Sequence, residues 1–299
     1  MSAAATPRAH RGTIYVEDGV ILQHTAAEAR QHILRISAPN TARRATPGSF
    51  VHLRCAAALP MRRPLSIMRA APAAGWIEVL FKVVGAGTAA LAQCRVGETL
   101  NLLGPIGQGF TLRPERPRVL AIGGGVGIPP MIFLAETLRG GARGAWKPLV
   151  LMGSEIPFPF HARPSRILVP AAPAAAIACM PLLDEWGIPS RLASNAGYPG
   201  CFDGHVTELA SQWLAALSAD ERAEVAIYAC GPSAMLAASA RLARAHALPC
   251  QVALEEFMAC AVGGCAGCAV EVRTAAGIAM KRVCVDGPVF EAETVFFGN

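Results

Sequence analysis

The chain has 299 residues, 53% of them hydrophobic and 16% charged, with ten cysteines and a formal charge of +6. That hydrophobic content excludes a disordered chain, and the length points to two domains with a small appendage. The basic residues are almost all arginine and lie scattered, with no run longer than two, which is not the clustered charge of a nucleic-acid interface.

In chain order, residues 10–114 read as an antiparallel β-barrel. The clearest strands are 50–55, 64–70, 76–84 and 98–104, broken by Pro47-Gly48, Gly75, Gly85 and Gly97. Arg63-Pro64-Leu65-Ser66 opens one strand and 85-GAGT-88 follows the next. Two readings stand level here. Either Thr88 caps a short helix over 88–94, and Gly85, Gly87 and Arg63 receive a pyrophosphate, or these are ordinary barrel turns.

Residues 115–250 alternate strand and helix, which predicts a parallel α/β sheet. The strand 118–122 runs into Gly123-Gly124-Gly125-Val126-Gly127, and a helix starts near Ile128 with Pro129 and Pro130 in its first turn. The glycines resemble a dinucleotide loop, where backbone must approach a pyrophosphate. After the second strand, 148–153, Glu155 suits a ribose contact, while Arg163 and Arg166 would suit a 2′-phosphate, so NAD and NADP both stay open. A third strand, 225–231, ends in Cys230-Gly231-Pro232 and leads to a helix over 233–248. Cys230 stands where a nicotinamide would lie, or is a small core residue.

Within residues 251–299, short strands are expected at 268–272 and 281–285. Cys260, Cys265, Cys268 and Cys284 follow a Cys-x4-Cys-x2-Cys-x15-Cys spacing. Three close cysteines and a distant fourth are the plant-type pattern for a [2Fe–2S] cluster, and the small residues between them let the loop wrap and aim N–H groups at sulfur. A zinc knuckle would ask for two short-spaced pairs. The longest uncharged stretch, 167–183, spans 17 residues and holds three prolines, so no regular membrane helix is expected. The first residues lack the apolar core of a signal peptide, so a cytoplasmic location is expected.

Taken together, these parts resemble the ferredoxin–NADP reductase superfamily. Within it they resemble the electron-transfer subunits of NAD-dependent dihydroorotate dehydrogenase, on 62-RRPLSI-67, 104-GPIGQGF-110, 123-GGGVGIPP-130, 228-YACGP-232, 255-EEFMACAVGGCAGC-268 and 284-CVDGPVF-290. Leu65, where other superfamily members place an aromatic, matches that family. The resemblance implies FAD held by Arg63, Pro64, Leu65, Ser66, Leu80, Phe81, Lys82, Gly87 and Thr88. Ser66 would donate to a flavin ring nitrogen. Lys82 replaces the Arg of many relatives and makes no bidentate contact. It implies NAD at Gly123, Gly124, Gly125, Gly127, Gly231 and Pro232, with Cys230 beside the nicotinamide, and the four cysteines as cluster ligands. The implied partner is an FMN-containing catalytic subunit that oxidises dihydroorotate in pyrimidine synthesis, in a heterotetramer with two of each. The competing readings are an electron-transfer subunit of a related NAD(P)H:ferredoxin oxidoreductase or sulfhydrogenase, and a non-enzymatic cysteine-rich redox or zinc sensor.

Overall fold

The computed structural model describes residues 12–141 and 144–298. Six antiparallel strands close into a barrel: β1 (Tyr15–Ala27), β2 (Gln31–Ser37), β3 (Phe50–Leu53), β4 (Arg63–Ala71), β5 (Trp76–Lys82) and β6 (Thr99–Ile106). Their order is β1-β2-β5-β4-β3-β6, and β6 pairs back onto β1, so no edge is left open. Two short helices, α1 (Pro39–Arg44) and α2 (Ala86–Leu91), sit in the connections. The side-chain period of two fills the barrel with Leu34, Ile36, Val51, Leu53, Ile77, Val79 and Phe81, all buried.

The second unit starts with β7 (Arg118–Gly124) and α3 (Ile128–Arg139), then β8 (Lys147–Gly153). A small ladder, β9 (Arg163–Pro164) with β10 (Ala178–Cys179), precedes α4 (Pro181–Glu185), β11 (Ser190–Ser194) and β12 (Phe202–Asp203). The helices α5 (Val206–Ala215) and α6 (Ala219–Ala223), the strand β13 (Val225–Cys230), α7 (Ser233–Ala245) and β14 (Cys250–Ala253) complete the alternation. The strands β12-β11-β8-β7-β13-β14 are parallel, and β13 is buried at every position, as a strand covered on both faces must be.

The helix α3 is apolar almost all round because two units claim it. Ile128, Met131 and Leu134 join the α/β core, while Phe133 enters the barrel core. Met68 of β4 and Leu80 of β5 cross the other way. Arg69 of β4 donates to the Glu136 carboxylate at 2.6 Å over the same seam. The seam is thus a shared core, which fixes the barrel against the sheet.

After β14 the chain forms the cysteine loop and the hairpin β15 (Ala269–Thr274) with β16 (Gly277–Arg282), then returns as β17 (Val289–Glu291) and α8 (Ala292–Val295). The strand β17 adds antiparallel to β14 as the seventh strand. The boundary expected at 250/251 therefore falls inside a strand. Residues 250–253 and 289–291 belong to the α/β sheet, with α8 following, and the cysteine module lies between the two strands. Its hairpin runs over 269–274 and 277–282, where the sequence points to 268–272 and 281–285. No helix of the described residues is long and apolar enough to cross a membrane.

Candidate functional site

The hairpin β15–β16 brings Cys284 back to the loop that carries Cys260, Cys265 and Cys268. The Cys268 and Cys284 sulfurs stand 3.4 Å apart. That is too far for a disulfide and near the roughly 3.7 Å between two thiolates on one tetrahedral metal. Cys260 and Cys265 make a second pair, with the Cys265 N–H donating to Cys260 Sγ at 3.4 Å. Among the described residues no three metal-binding side chains converge on one point. Four cysteines gathered as Cys268 with Cys284 and Cys260 with Cys265 would suit a binuclear iron cluster better than a single zinc.

The loop is built to hold thiolates. Arg282 donates to the Gly263 carbonyl at 2.8 Å and pins the wrap, and the Gly267 N–H points at Cys265 Sγ. Burial pushes the Cys260 thiol up, but backbone N–H groups of Val262, Cys265 and Gly264 outweigh it and bring the thiol down to about 7. Burial, reinforced by Cys268, holds the Cys284 thiol up instead. In cluster-free protein at pH 7.5, Cys260 should therefore alkylate several-fold faster than an ordinary cysteine, and slow as pH falls through 7. Cys230 and Cys250, whose thiols burial pushes up most, should react last. Peptide mapping by mass spectrometry after timed iodoacetamide treatment reads this order.

After β5, α2 begins at Ala86, with Gly85 as its cap. The cap expected at Thr88 is corrected: Thr88 lies inside the first turn, and its Oγ1 accepts from the N–H groups of Val84 at 2.9 Å and Gly85 at 3.2 Å. It shapes the turn. Arg63 meets this turn at Gly87, where an added Cβ would lie 2.9 Å from Arg63 Nε. That approach leaves no room for a Cβ at buried Gly87, and it sets a guanidinium next to the exposed Gly85-Ala86 stretch, an arrangement that would suit a pyrophosphate. Pro64, Ser66 and Lys82 are half-buried near it, and Leu65 rests partly on the barrel core. The side chains of Leu80 and Phe81 are committed elsewhere, to the shared core and to a stack on His32 in the barrel. Only their backbone is free to meet a ligand.

Gly123 and Gly124 end β7, and Gly125–Gly127 form one tight turn before α3. Cys230 ends β13 directly beside Gly123. The two loops press together: a Cβ on Gly127 would lie 2.3 Å from the Cys230 carbonyl oxygen, and one on Gly231 would lie 3.1 Å from Gly124 Cα. Pro232 caps α7 and crowds Gly124 from the side. Loop-to-loop fit thus explains Gly124, Gly127 and Gly231. Gly125, with φ +53°, faces open space.

Cys230 is 1% exposed. Burial, and then the nearby Glu255 carboxylate, push its thiol well above the usual range. It stays a neutral S–H. Glu255 itself is solvent-accessible yet closely walled by protein, which raises its carboxyl. Sequence reasoning missed Glu255 as a site residue, because nothing in its spacing distinguishes it from Glu256; only the fold sets it near Cys230.

Glu155 is exposed just past the end of β8. Arg166 instead donates to the nearly inaccessible Asp184 carboxylate at 3.0 Å, and Arg163 lies 3.6 Å from it. Ser165 also donates to Asp184, at 2.9 Å. Burial pushes the Asp184 carboxyl up, but these donors prevail and hold it below its ordinary value. Both arginines are therefore engaged by Asp184, while Glu155 carries an exposed carboxylate just past β8. Asp184→Asn should lower unfolding free energy at pH 7 by about 1–3 kcal/mol. Because the folded-state value is depressed, wild-type protein keeps that stability above about pH 4 and loses it as pH falls further. Urea titrations of both proteins at pH 7 and pH 3 check the convergence.

Residues 255–296 match the family model for the iron–sulfur cluster binding domain of dihydroorotate dehydrogenase B. The dihydroorotate dehydrogenase B (NAD(+)) electron transfer subunit of Desulforamulus reducens is 33% identical over 277 residues, covering 92% of this chain and 96% of that one. Its counterpart from Geobacillus thermodenitrificans is 35% identical over 280 residues, with the same two coverages of 92% and 96%. Among solved structures, an NADH-dependent reduced ferredoxin–NADP oxidoreductase superposes with TM-score 0.72 at 24% identity, over 93% of this chain and 89% of that one. A ferredoxin reductase of carbazole 1,9a-dioxygenase superposes with TM-score 0.60 at 19% identity, over 79% and 67%.

Proposed function

The chain belongs to the family of dihydroorotate dehydrogenase B electron transfer subunits, and from that premise we propose that it carries electrons from a flavin-containing catalytic subunit to NAD+. The carriers are a [2Fe–2S] cluster on Cys260, Cys265, Cys268 and Cys284, and FAD on the barrel. The catalytic partner oxidises dihydroorotate, and two copies of each subunit form the complex. The observation that carries this reading is the pairing of four cysteines on a module clamped to a reductase-like barrel and sheet.

When bound, FAD exchanges hydride with a nicotinamide and single electrons with the cluster. The chain's own residues supply position and charge. Arg63 at the Gly87 turn neutralises a pyrophosphate, and Thr88 keeps that turn in shape. Ser66 offers a hydroxyl on the same strand as Arg63. Gly125 gives the open backbone of the nucleotide loop, Glu155 accepts from a ribose, and Cys230 presents a neutral thiol at the end of β13. No side chain has to form a covalent intermediate.

Anaerobically purified protein should show flavin and iron–sulfur absorption, and NADH should bleach the flavin band within one turnover. A partner carrying FMN should co-purify from the native host. Colourless protein that binds zinc would overturn the reading.

A further inference from the structure

Along β3 the side chains alternate between two cores. Val51 and Leu53 point into the barrel, while Phe50 packs with Met258, Ala261, Cys268 and Cys284 of the cysteine module. His52 shares the Phe50 face, since it lies two residues on. Its neighbours in the ladder are Pro64 on β4 and Leu103 on β6, and Phe50 sits opposite Ser66. The imidazole therefore stands between the strand that receives flavin and the loop that carries the first cluster ligand.

That imidazole is 0% exposed, and neither ring nitrogen has a hydrogen-bond partner. Buried polar groups are rarely left so, and the desolvation cost falls on both nitrogens. Two backbone acceptors, at Arg62 and Met258, lie close enough to favour a charged ring without bonding the neutral one. One precedes the flavin strand, and the other lies two residues before Cys260. Opposing them are burial and the two cations that act on the ring, Arg62 and Arg63; β6 contributes apolar Leu103. Burial and these cations keep the ring neutral, lowering its pKa to about 4. An extra negative charge on the module would shift this balance toward the charged ring.

We propose that His52 is a positioning residue that links arrival of an electron at the cluster to uptake of a proton. One electron enters the cluster, and one proton leaves solvent water to form an N–H bond on the imidazole. No bond between heavy atoms changes. The imidazolium then donates to the Met258 and Arg62 backbone, drawing the cluster loop onto the flavin strand. Linkage is reciprocal, so the proton also eases the reduction that summons it. The inference rests on the proposed cluster and flavin.

The test is a potentiometric titration of the holoprotein from pH 5 to pH 8, with the cluster followed by its EPR signal. In wild-type protein the cluster should become harder to reduce as pH rises, by up to tenfold in the reduction equilibrium per pH unit. His52→Gln should keep its cluster and lose that slope. A pH-independent wild-type cluster, or an unchanged slope in His52→Gln, would overturn the proposal. Should His52→Gln not accumulate cluster, reduced-minus-oxidised infrared spectra of wild-type protein labelled with 13C-histidine decide. A label-sensitive imidazolium band supports the proposal, and its absence sinks it. Wild-type protein without any cluster signal would overturn the functional reading as well, whereas a normal cluster without proton linkage would overturn His52 alone.

Discussion

Cys284→Ala should abolish the cluster, leave the flavin in place, and cut electron transfer from the partner to NAD+ by roughly a hundredfold or more. Loss of a mere outer-sphere group already costs a metal site about 10–100-fold in affinity, and Cys284 is proposed as a ligand itself. It is the most informative of the four, because it alone comes from beyond the hairpin and stands 3.4 Å from Cys268. Losing it leaves Cys268 without the second sulfur its iron would need. The side chain is small and buried, so the metal-free fold should change little, and near-UV circular dichroism of the apo forms should overlay. Iron content and the EPR signal read the cluster. NADH bleaching of the flavin band, unaffected in the variant, separates this half of the path from the other. A variant that keeps its cluster would remove Cys284 from the ligand set.

Gly127→Ala should be the most damaging change in the nucleotide loop, although Gly125 is the residue that faces open space. The new methyl would lie 2.3 Å from the Cys230 carbonyl oxygen and 2.5 Å from the Gly231 nitrogen. Both are backbone atoms at the end of a central strand, so neither can swing aside, and the loops must part. A loss of about 2–4 kcal/mol in stability follows, with a rise in KM for NADH of tenfold or more and unchanged flavin content. Gly125→Ala, at φ +53° with no neighbour to meet, carries only the left-handed penalty of about 1–2 kcal/mol. Denaturant titrations and NADH kinetics on the two variants rank them. The reverse order would mean that ligand approach at Gly125, and not the fit between loops at Gly127, sets the demand for glycine in this turn.

The architecture was legible in the sequence where local chemistry and tertiary role coincide. Buried parallel strands such as 225–230 are continuous apolar runs, and the barrel strands carry glycine breaks, so both show through composition. The cysteine spacing was legible because ligation constrains the chain over a few residues. Contacts made across long separations were not. Nothing near Arg163 or Arg166 announces that Asp184 will occupy them. Glu255 and His52 take their interest from neighbours on other elements, Cys230 in one case and Met258 in the other. Gly127 and Gly231 read as ligand glycines, since a close approach to backbone and a close approach to phosphate demand the same missing side chain.

The return of β17 onto β14 makes the wiring separable from the scaffold. Ala253 and Val289 are direct antiparallel partners, so their backbones already lie at the distance a two-residue turn spans. An Asn-Gly linker in place of residues 254–288 would close a plain edge hairpin and keep all seven strands of the sheet. Phe50 and Ile106, which the module covers, would need polar replacements. What would remain is the barrel and the seven-stranded sheet without the cysteine loop. In engineering terms the iron–sulfur segment is a plug-in cassette, and its two sockets sit side by side.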